Sequence, residues 1–223
     1  MPRSAKKPPT EIIELRVGDR LLEIEQRSDI KSQVQAALLS ENIDAPFWAV
    51  VWPSAYVTAF ALGNFGSLEG MRVLELGGGV GALALAAAAQ GASEVISTDY
   101  VAAAKPFVER NAKRNGLDVQ ALTMDWNDPP KDLGLFDGIV AADVLYGDDM
   151  LRGVLRFISK HLKPEGRAVI ADPDRVMEGG IGGAAMLHGL KVTSTSVPVE
   201  ILQATGLASF RGVTLYELVR GRR

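Results

Sequence analysis

Residues 75 to 81 read Glu75-Leu-Gly77-Gly-Gly79-Val-Gly81, between the apolar run Met71-Arg-Val-Leu74 and an alanine-rich stretch from Ala82 to Gln90. Side chains would keep a ligand off the backbone here, and glycine removes them. A tight turn of this kind before a helix suits a nucleotide-type cofactor. Further acids recur at regular intervals: Asp99, Asp125, Asp143 and Asp172, with Trp126, Tyr146 and Arg175 close behind the last three. Asp99 lies 18 residues after Gly81, where an acid ending the next strand can accept both hydroxyls of a ribose. Helix capping accounts for Asp99, Asp143 and Asp172 one at a time. Five acids on one edge repel one another, which makes sense for a ligand that brings hydroxyl donors and positive charge.

The elements that must hold these residues follow from the pattern of apolar runs. Strands are expected at 71–76, 94–99, 119–124, 136–142 and 167–172, and helices at 80–90, 101–115, 147–161 and 174–188. Such alternation implies a parallel sheet with helices on both faces, with one of the five acids at the end of each strand. Two more strands, 191–199 and 214–219, have no helix between them and are expected as an antiparallel hairpin at the sheet edge. Ahead of the sheet, 11–17 and 20–25 flank Gly18-Asp19 as a hairpin, and 30–39 reads as a short helix. Trp52-Pro53 opens a further helix to about Asn64, with Pro53 suited to its first turn. Three segments are therefore expected: a disordered tail over 1–10, a hairpin and helical segment over 11–66 that packs on the core, and the cofactor-binding core over 67–223.

Composition excludes several classes. The 223 residues include no cysteine and only two histidines, His161 and His188, which removes disulfides, thiol catalysis and a histidine-rich metal centre. The absence of cysteine suits a cytoplasmic protein. A net charge of −3 argues against a nucleic-acid partner, and the basic residues at both ends read as solvated tails. The first ten residues lack the apolar stretch of a signal peptide, and the longest apolar run, Ala45 to Trp52, is too short to span a membrane.

The glycine loop alone does not separate NAD from S-adenosylmethionine, because Gly77-x-Gly79-x-x-Ala82 also fits the relaxed dinucleotide pattern. Glu75 completes Glu-x-Gly-x-Gly-x-Gly, and about 70 residues with a tryptophan motif precede the first sheet strand. Both features favour S-adenosylmethionine, and no hydride-transfer site is visible. On these residues the chain resembles the seven-strand, Rossmann-like class I S-adenosylmethionine-dependent methyltransferases, and within them the protein-lysine methyltransferases. The resemblance covers residues 45 to 219. Its carriers are Pro46-Phe-Trp48-Ala-Val-Val-Trp52-Pro53, the loop from Glu75 to Gly81, Asp143-Val-Leu-Tyr146 and Asp172-Pro-Asp174-Arg175. The last motif points to the branch that acts on the electron-transfer-flavoprotein β-subunit.

The resemblance implies a protein substrate presenting a lysine, with Asp143 orienting the amine and Tyr146 walling its channel. It implies Glu75, Gly77, Gly79 and Gly81 around the cofactor, Asp99 on the ribose, and Asp125 with Trp126 at the adenine. Trp126 is otherwise a surface loop aromatic. Trp52 is placed across the cationic sulfonium, a cation–π contact worth ~1–2 kcal/mol when desolvated. The alternative for Trp48 and Trp52, four residues apart, is a single core stripe, and Trp48 is assigned to the core. Asp172 and Arg175 are assigned to the substrate side, Arg175 pairing with Asp172, Asp174 or an acidic patch of the acceptor, or standing as a solvated charge. A base methyltransferase is disfavoured, since Asp128-Pro129-Pro130 follows the third strand rather than the fourth. A small-molecule N-methyltransferase and a non-catalytic cofactor-binding domain stay open. The acceptor's identity, the number of methyl groups added and the oligomeric state are not legible in the sequence.

Overall fold

The computed structural model describes residues 8–30, 33, 45–62, 67–173, 180–197 and 212–221. Strands β1 (Thr10–Val17) and β2 (Arg20–Arg27) form an antiparallel hairpin about Gly18-Asp19, with Val17 facing Arg20. Gly18 takes a φ of +56°, which the two-residue turn requires. Leu15, Val17, Leu22 and Ile24 are buried at alternate positions, so one face of the ribbon packs inward while Glu11, Glu14 and Glu23 stay exposed. Of the helix expected over 30–39, only residues 30 and 33 are described.

A 3-10 turn at Phe47–Ala49 leads to helix α1 (Pro53–Leu62), which does carry Pro53 at its start. Then β3 (Arg72–Leu76), α2 (Ala82–Ala89), β4 (Glu94–Asp99), α3 (Lys105–Asn115), β5 (Gln120–Thr123) and β6 (Phe136–Ala142) follow. The chain continues as α4 (Asp148–His161), β7 (Leu162–Asp172), α5 (Gly180–Leu187), β8 (Leu190–Val197) and β9 (Val213–Arg220). Seven strands make one sheet in the order β5-β4-β3-β6-β7-β9-β8. β3 to β7 are mutually parallel, so their carboxyl ends share an edge. β9 runs antiparallel between β7 and β8, and these two last strands close that side of the sheet.

Among the described residues, two boundaries differ by more than two residues from the expected ones. β7 begins at Leu162, directly after α4, because Leu162 already pairs with Phe136 across an irregularity in β6. α3 begins at Lys105 rather than 101, because the Asp99 carboxylate accepts the Val101 N–H and holds that stretch as a turn. The helix expected over 174–188 is seen as Gly180–Leu187, residues 174–179 lying outside those described.

The sheet divides two apolar cores. On one face α2, α3, the hairpin and part of α1 enclose Val80, Leu83, Leu85, Val95 and Val108. On the other, α4 lays Leu151, Val154, Leu155 and Ile158 against Leu74, Leu76 and Ile139. The i, i+3, i+4, i+7 spacing of those four residues supplies the helix's apolar stripe. Asp148 and Asp149 in its first turn and Lys160 and His161 in its last complement the helix dipole.

Candidate functional site

Glu75 is the next-to-last residue of β3, and its side chain turns under α2, where it is buried. Oε1 accepts the Leu83 N–H at 2.9 Å, and Oε2 accepts the Ser97 hydroxyl at 2.7 Å. Its own carbonyl accepts the Thr98 hydroxyl at 2.6 Å. One residue thus ties β3, β4 and the first turn of α2 together. Burial pushes the Glu75 carboxyl up to about 7, against the bonds from Ser97, Leu83 and Ala84 that favour its charge. The sequence signal for Ser97 and Thr98, not singled out earlier, is a polar pair inside a buried strand.

Gly77, Gly79 and Gly81 have φ of +63°, +52° and +86°, a region that favours glycine. A Cβ at Gly77 would sit 2.7 Å from Val144 Cγ1, and one at Gly81 would sit 3.0 Å from Val108 Cγ1. A Cβ at Gly79 would run into the carbonyl of Trp48. These glycines are therefore demanded by backbone conformation and by the chain's own close packing, a more immediate reason than room for a ligand. The Gly79 N–H donates to Asp99 Oδ2 at 2.9 Å, and the Val101 N–H donates to Asp99 Oδ1 at 2.8 Å. Asp99 is half-buried, and burial raises its pKa against those two bonds. Each carboxylate oxygen has accepted one bond and keeps a further lone pair. The side chain borders a small cleft lined by Val101, Ala104, Lys105, Ala121 and Thr123.

Asp143 leaves β6 with a φ of +59°, the one non-glycine residue with positive φ among those described. Its N–H donates to Ala171 O at 3.0 Å, which pins the bend against β7. An aspartate tolerates this region better than most residues, yet the conformation still costs about 1 kcal/mol or more. The side chain is buried. It does not cap α4, whose N-cap is Gly147 without a side-chain bond, so capping fails as an account of Asp143. It fails for Asp99 too, since α3 starts six residues later, behind Ala104. Tyr146, three residues beyond Asp143, is 61% exposed.

Burial changes the picture of an acidic rim. Glu75, Asp143 and Asp172 are buried, Asp99 is half-buried and Asp125 is exposed. Mutual repulsion across a wet edge is thus not the governing fact; most of these carboxyls are enclosed. Asp172 is fully buried at the end of β7, where it pairs with Thr214. Asp174 and Arg175 lie outside the described residues.

The aromatic residues are placed as follows. Trp126 is half-buried against the α4 core, and its Cζ3 lies 3.7 Å from where a Gly77 Cβ would be. Trp126 thus sits in the loop after β5 with its ring packed inward, against the glycine loop. Its Nε1 is buried with no partner among the described residues. Asp125 Oδ1 accepts the Asn127 N–H at 2.8 Å. Trp48 packs edge-on against Phe107, centroids 5.5 Å apart. Trp52 donates its indole N–H to Phe47 O at 2.8 Å, with the Phe47 ring 6.0 Å away. The two tryptophans do not share a helix face, since Trp48 sits in the 3-10 turn and Trp52 precedes α1.

Comparison with known proteins bears on this arrangement. The chain is 33% identical over 133 residues to a mouse electron transfer flavoprotein beta subunit lysine methyltransferase, covering 58% of this chain and 51% of that protein. The rat protein of the same name is 32% identical over 158 residues, covering 70% and 61%. The chain thus spans between half and two thirds of these relatives. Among solved structures, a T. Thermophilus 16S rRNA methyltransferase in complex with AdoMet and guanosine superposes with a TM-score of 0.70 at 18% identity, covering 98% of this chain and 52% of that one. That likeness is one of fold. The profile of the lysine methyltransferase family matches residues 33–178, most of the sheet together with the glycine loop and the Asp143–Tyr146 segment, and the chain belongs to that family.

Proposed function

We propose that this chain is an S-adenosylmethionine-dependent protein-lysine N-methyltransferase, with the β-subunit of an electron-transfer flavoprotein as acceptor. Asp143 carries the reading: a buried carboxylate, held in a left-handed bend at the carboxyl edge of the sheet, within the segment that walls the glycine loop through Val144. Backbone strain at a ligand edge is retained where geometry matters to function.

The residues present fit the cofactor. When bound, S-adenosylmethionine supplies an electrophilic methyl group on a sulfonium. Asp99, with a lone pair left on each oxygen, would hold the ribose hydroxyls. Gly77, Gly79 and Gly81, braced from below by Glu75, would carry the loop backbone against the cofactor. Trp126 and Asp125 would border the adenine, and Trp52 would lie near the sulfonium. Asp143 accepts a hydrogen bond from the acceptor amine and aims its lone pair, and Tyr146 walls the approach. An ammonium entering beside a sulfonium loses its proton more readily, because like charges disfavour its charged form, so no strong base is needed. Asp172 and Arg175 remain assigned to the acceptor side. On this reading residues 67–223 are the cofactor-binding core, residues 11–66 pack on it and residues 1–10 are a tail. The net charge of −3 supports a protein rather than a nucleic-acid acceptor, and the lack of cysteine supports a cytoplasmic setting. Among the described residues no helix is long and apolar enough to cross a membrane.

The test is transfer of labelled methyl from S-adenosylmethionine to host lysate and to purified flavoprotein, with Asp143→Asn as control. Asparagine tolerates the left-handed bend, so the variant removes the charge without adding strain. A labelled β-subunit, lost at least 100-fold in the variant while cofactor binding persists, is the expected result. Labelling of small molecules only, or an unaffected variant, overturns the reading.

A further inference from the structure

The amino-terminal hairpin has so far no part in the chemistry, yet its hydrogen bonds lead to the glycine loop. β2 is bonded to β1 on one side, and an exposed strand edge leaves outward N–H and C=O groups to satisfy. Two asparagines of α3 fill that need. Asn111 Oδ1 accepts the Glu25 N–H at 2.7 Å, and its Nδ2 donates to Glu25 O at 3.1 Å. Asn115 does the same for Glu23, accepting its N–H at 2.9 Å and donating to its carbonyl at 2.8 Å. Four residues of helix rise about 6 Å, close to the roughly 6.8 Å between alternate residues of a strand, so the two amides stand in for a neighbouring strand. Arg110 adds an ion pair to Glu25 at 3.0 Å, which holds that carboxyl below its ordinary pKa.

The two asparagines differ in one respect. Asn111 is fully buried, and its Nδ2 also donates to Val80 O at 3.0 Å, inside the glycine loop. Next to Glu25 on β2, Gln26 Oε1 accepts the Val51 N–H at 2.9 Å, in the segment between Trp48 and Trp52. That segment crosses Gly79 through the Trp48 carbonyl. Adjacent residues of β2 therefore hold the two backbone pieces that meet at the loop.

We infer that Asn111 is a positioning residue for cofactor binding: with Gln26, it makes the hairpin a brace that fixes the glycine loop relative to the Trp48–Trp52 segment. This rests on the loop being the S-adenosylmethionine site, as proposed above. Asn115 supplies the control, since it docks the same hairpin without touching the loop.

The experiment measures S-adenosylhomocysteine binding by calorimetry, and stability in urea, for the full chain and for Asn111→Ala, Asn115→Ala and Gln26→Ala. Both asparagine variants lower the urea midpoint. Only Asn111→Ala and Gln26→Ala weaken binding, by about tenfold, the consequence of one or two lost hydrogen bonds. In turnover assays the same two variants raise the KM for S-adenosylmethionine and leave kcat at saturation within about twofold, as expected when binding geometry alone is affected. Should Asn111→Ala fail to fold, Gln26→Ala decides, because it leaves α3 and its contacts with β2 intact. Equal Kd for Asn111→Ala and Asn115→Ala, or an unchanged Kd for Gln26→Ala, overturns the brace. No binding by the unaltered chain overturns the cofactor reading instead.

Discussion

Replacing Glu75 by glutamine should make the protein's stability less dependent on pH, with a sign and size set by the buried carboxyl. Burial moves Glu75 from 4.5 to about 7 in the folded chain. Between those values the folded state holds a proton that the unfolded state has released. Stability therefore falls as pH rises through this window, and the loss is complete above about 7. A shift of roughly 2.5 units corresponds to ~3 kcal/mol. Glutamine has the same shape, stays neutral and can still accept the Leu83 N–H through its oxygen while its amide group faces the Ser97 hydroxyl. Asp99 is shifted in the same direction and is present in both proteins; its charge is the smallest of the causes already contained in the Glu75 shift. The assay is urea unfolding at 25 °C, followed by tryptophan fluorescence at pH 4.5 to 8. Near pH 4.5 the variant should be equal to the parent or about 1 kcal/mol less stable, from the rearranged bond to Ser97. By pH 7.5 the difference should have moved ~3 kcal/mol in the variant's favour. A difference that stays flat across the range would refute the reasoning, because it would mean that Ser97 and the α2 amides hold Glu75 ionised at no cost.

The remaining expectations concern the same edge. Gly79→Ala sets a methyl against the Trp48 carbonyl at a φ of +52°, so it should lose about 1–3 kcal/mol of stability and the thermal shift on adding S-adenosylhomocysteine; a shift equal to the parent's would contradict this. Asp99→Asn must turn its amide group toward the N–H of Gly79 or Val101, and calorimetry should find cofactor-product affinity down about tenfold or more. Trp126→Phe removes a buried N–H that has no partner among the described residues, so its cost in urea should stay under ~1 kcal/mol despite the smaller ring. A loss above ~2 kcal/mol would contradict this.

Much of the architecture is written in short-range patterns. Apolar runs alternating with 3.6-period stripes locate β3 to β7 and their helices within a few residues, and Gly18-Asp19 marks the hairpin turn at its observed position. The boundaries that move are those where a distant partner intervenes: Leu162 joins β7 because Phe136 lies beside it, and the Asp99 carboxylate delays α3. Helix capping, a local preference, is the wrong account of Asp99 and Asp143, since each is held by neighbours that the sequence does not place beside it.

The sequence by itself determined the fold class, the glycine loop and the set of acids at the strand ends, because each depends on residues within one turn or strand of one another. Only the tertiary structure decided that Glu75, Asp143 and Asp172 are enclosed rather than a wet rim. It alone decided that the Trp48 carbonyl rather than a ligand first forbids a side chain at Gly79. The pairing of Asn111 and Asn115 with β2 joins residues 86 and 92 positions apart. Such contacts depend on how packed layers meet, and a side chain's neighbours across a layer leave no period or spacing in the chain to be read.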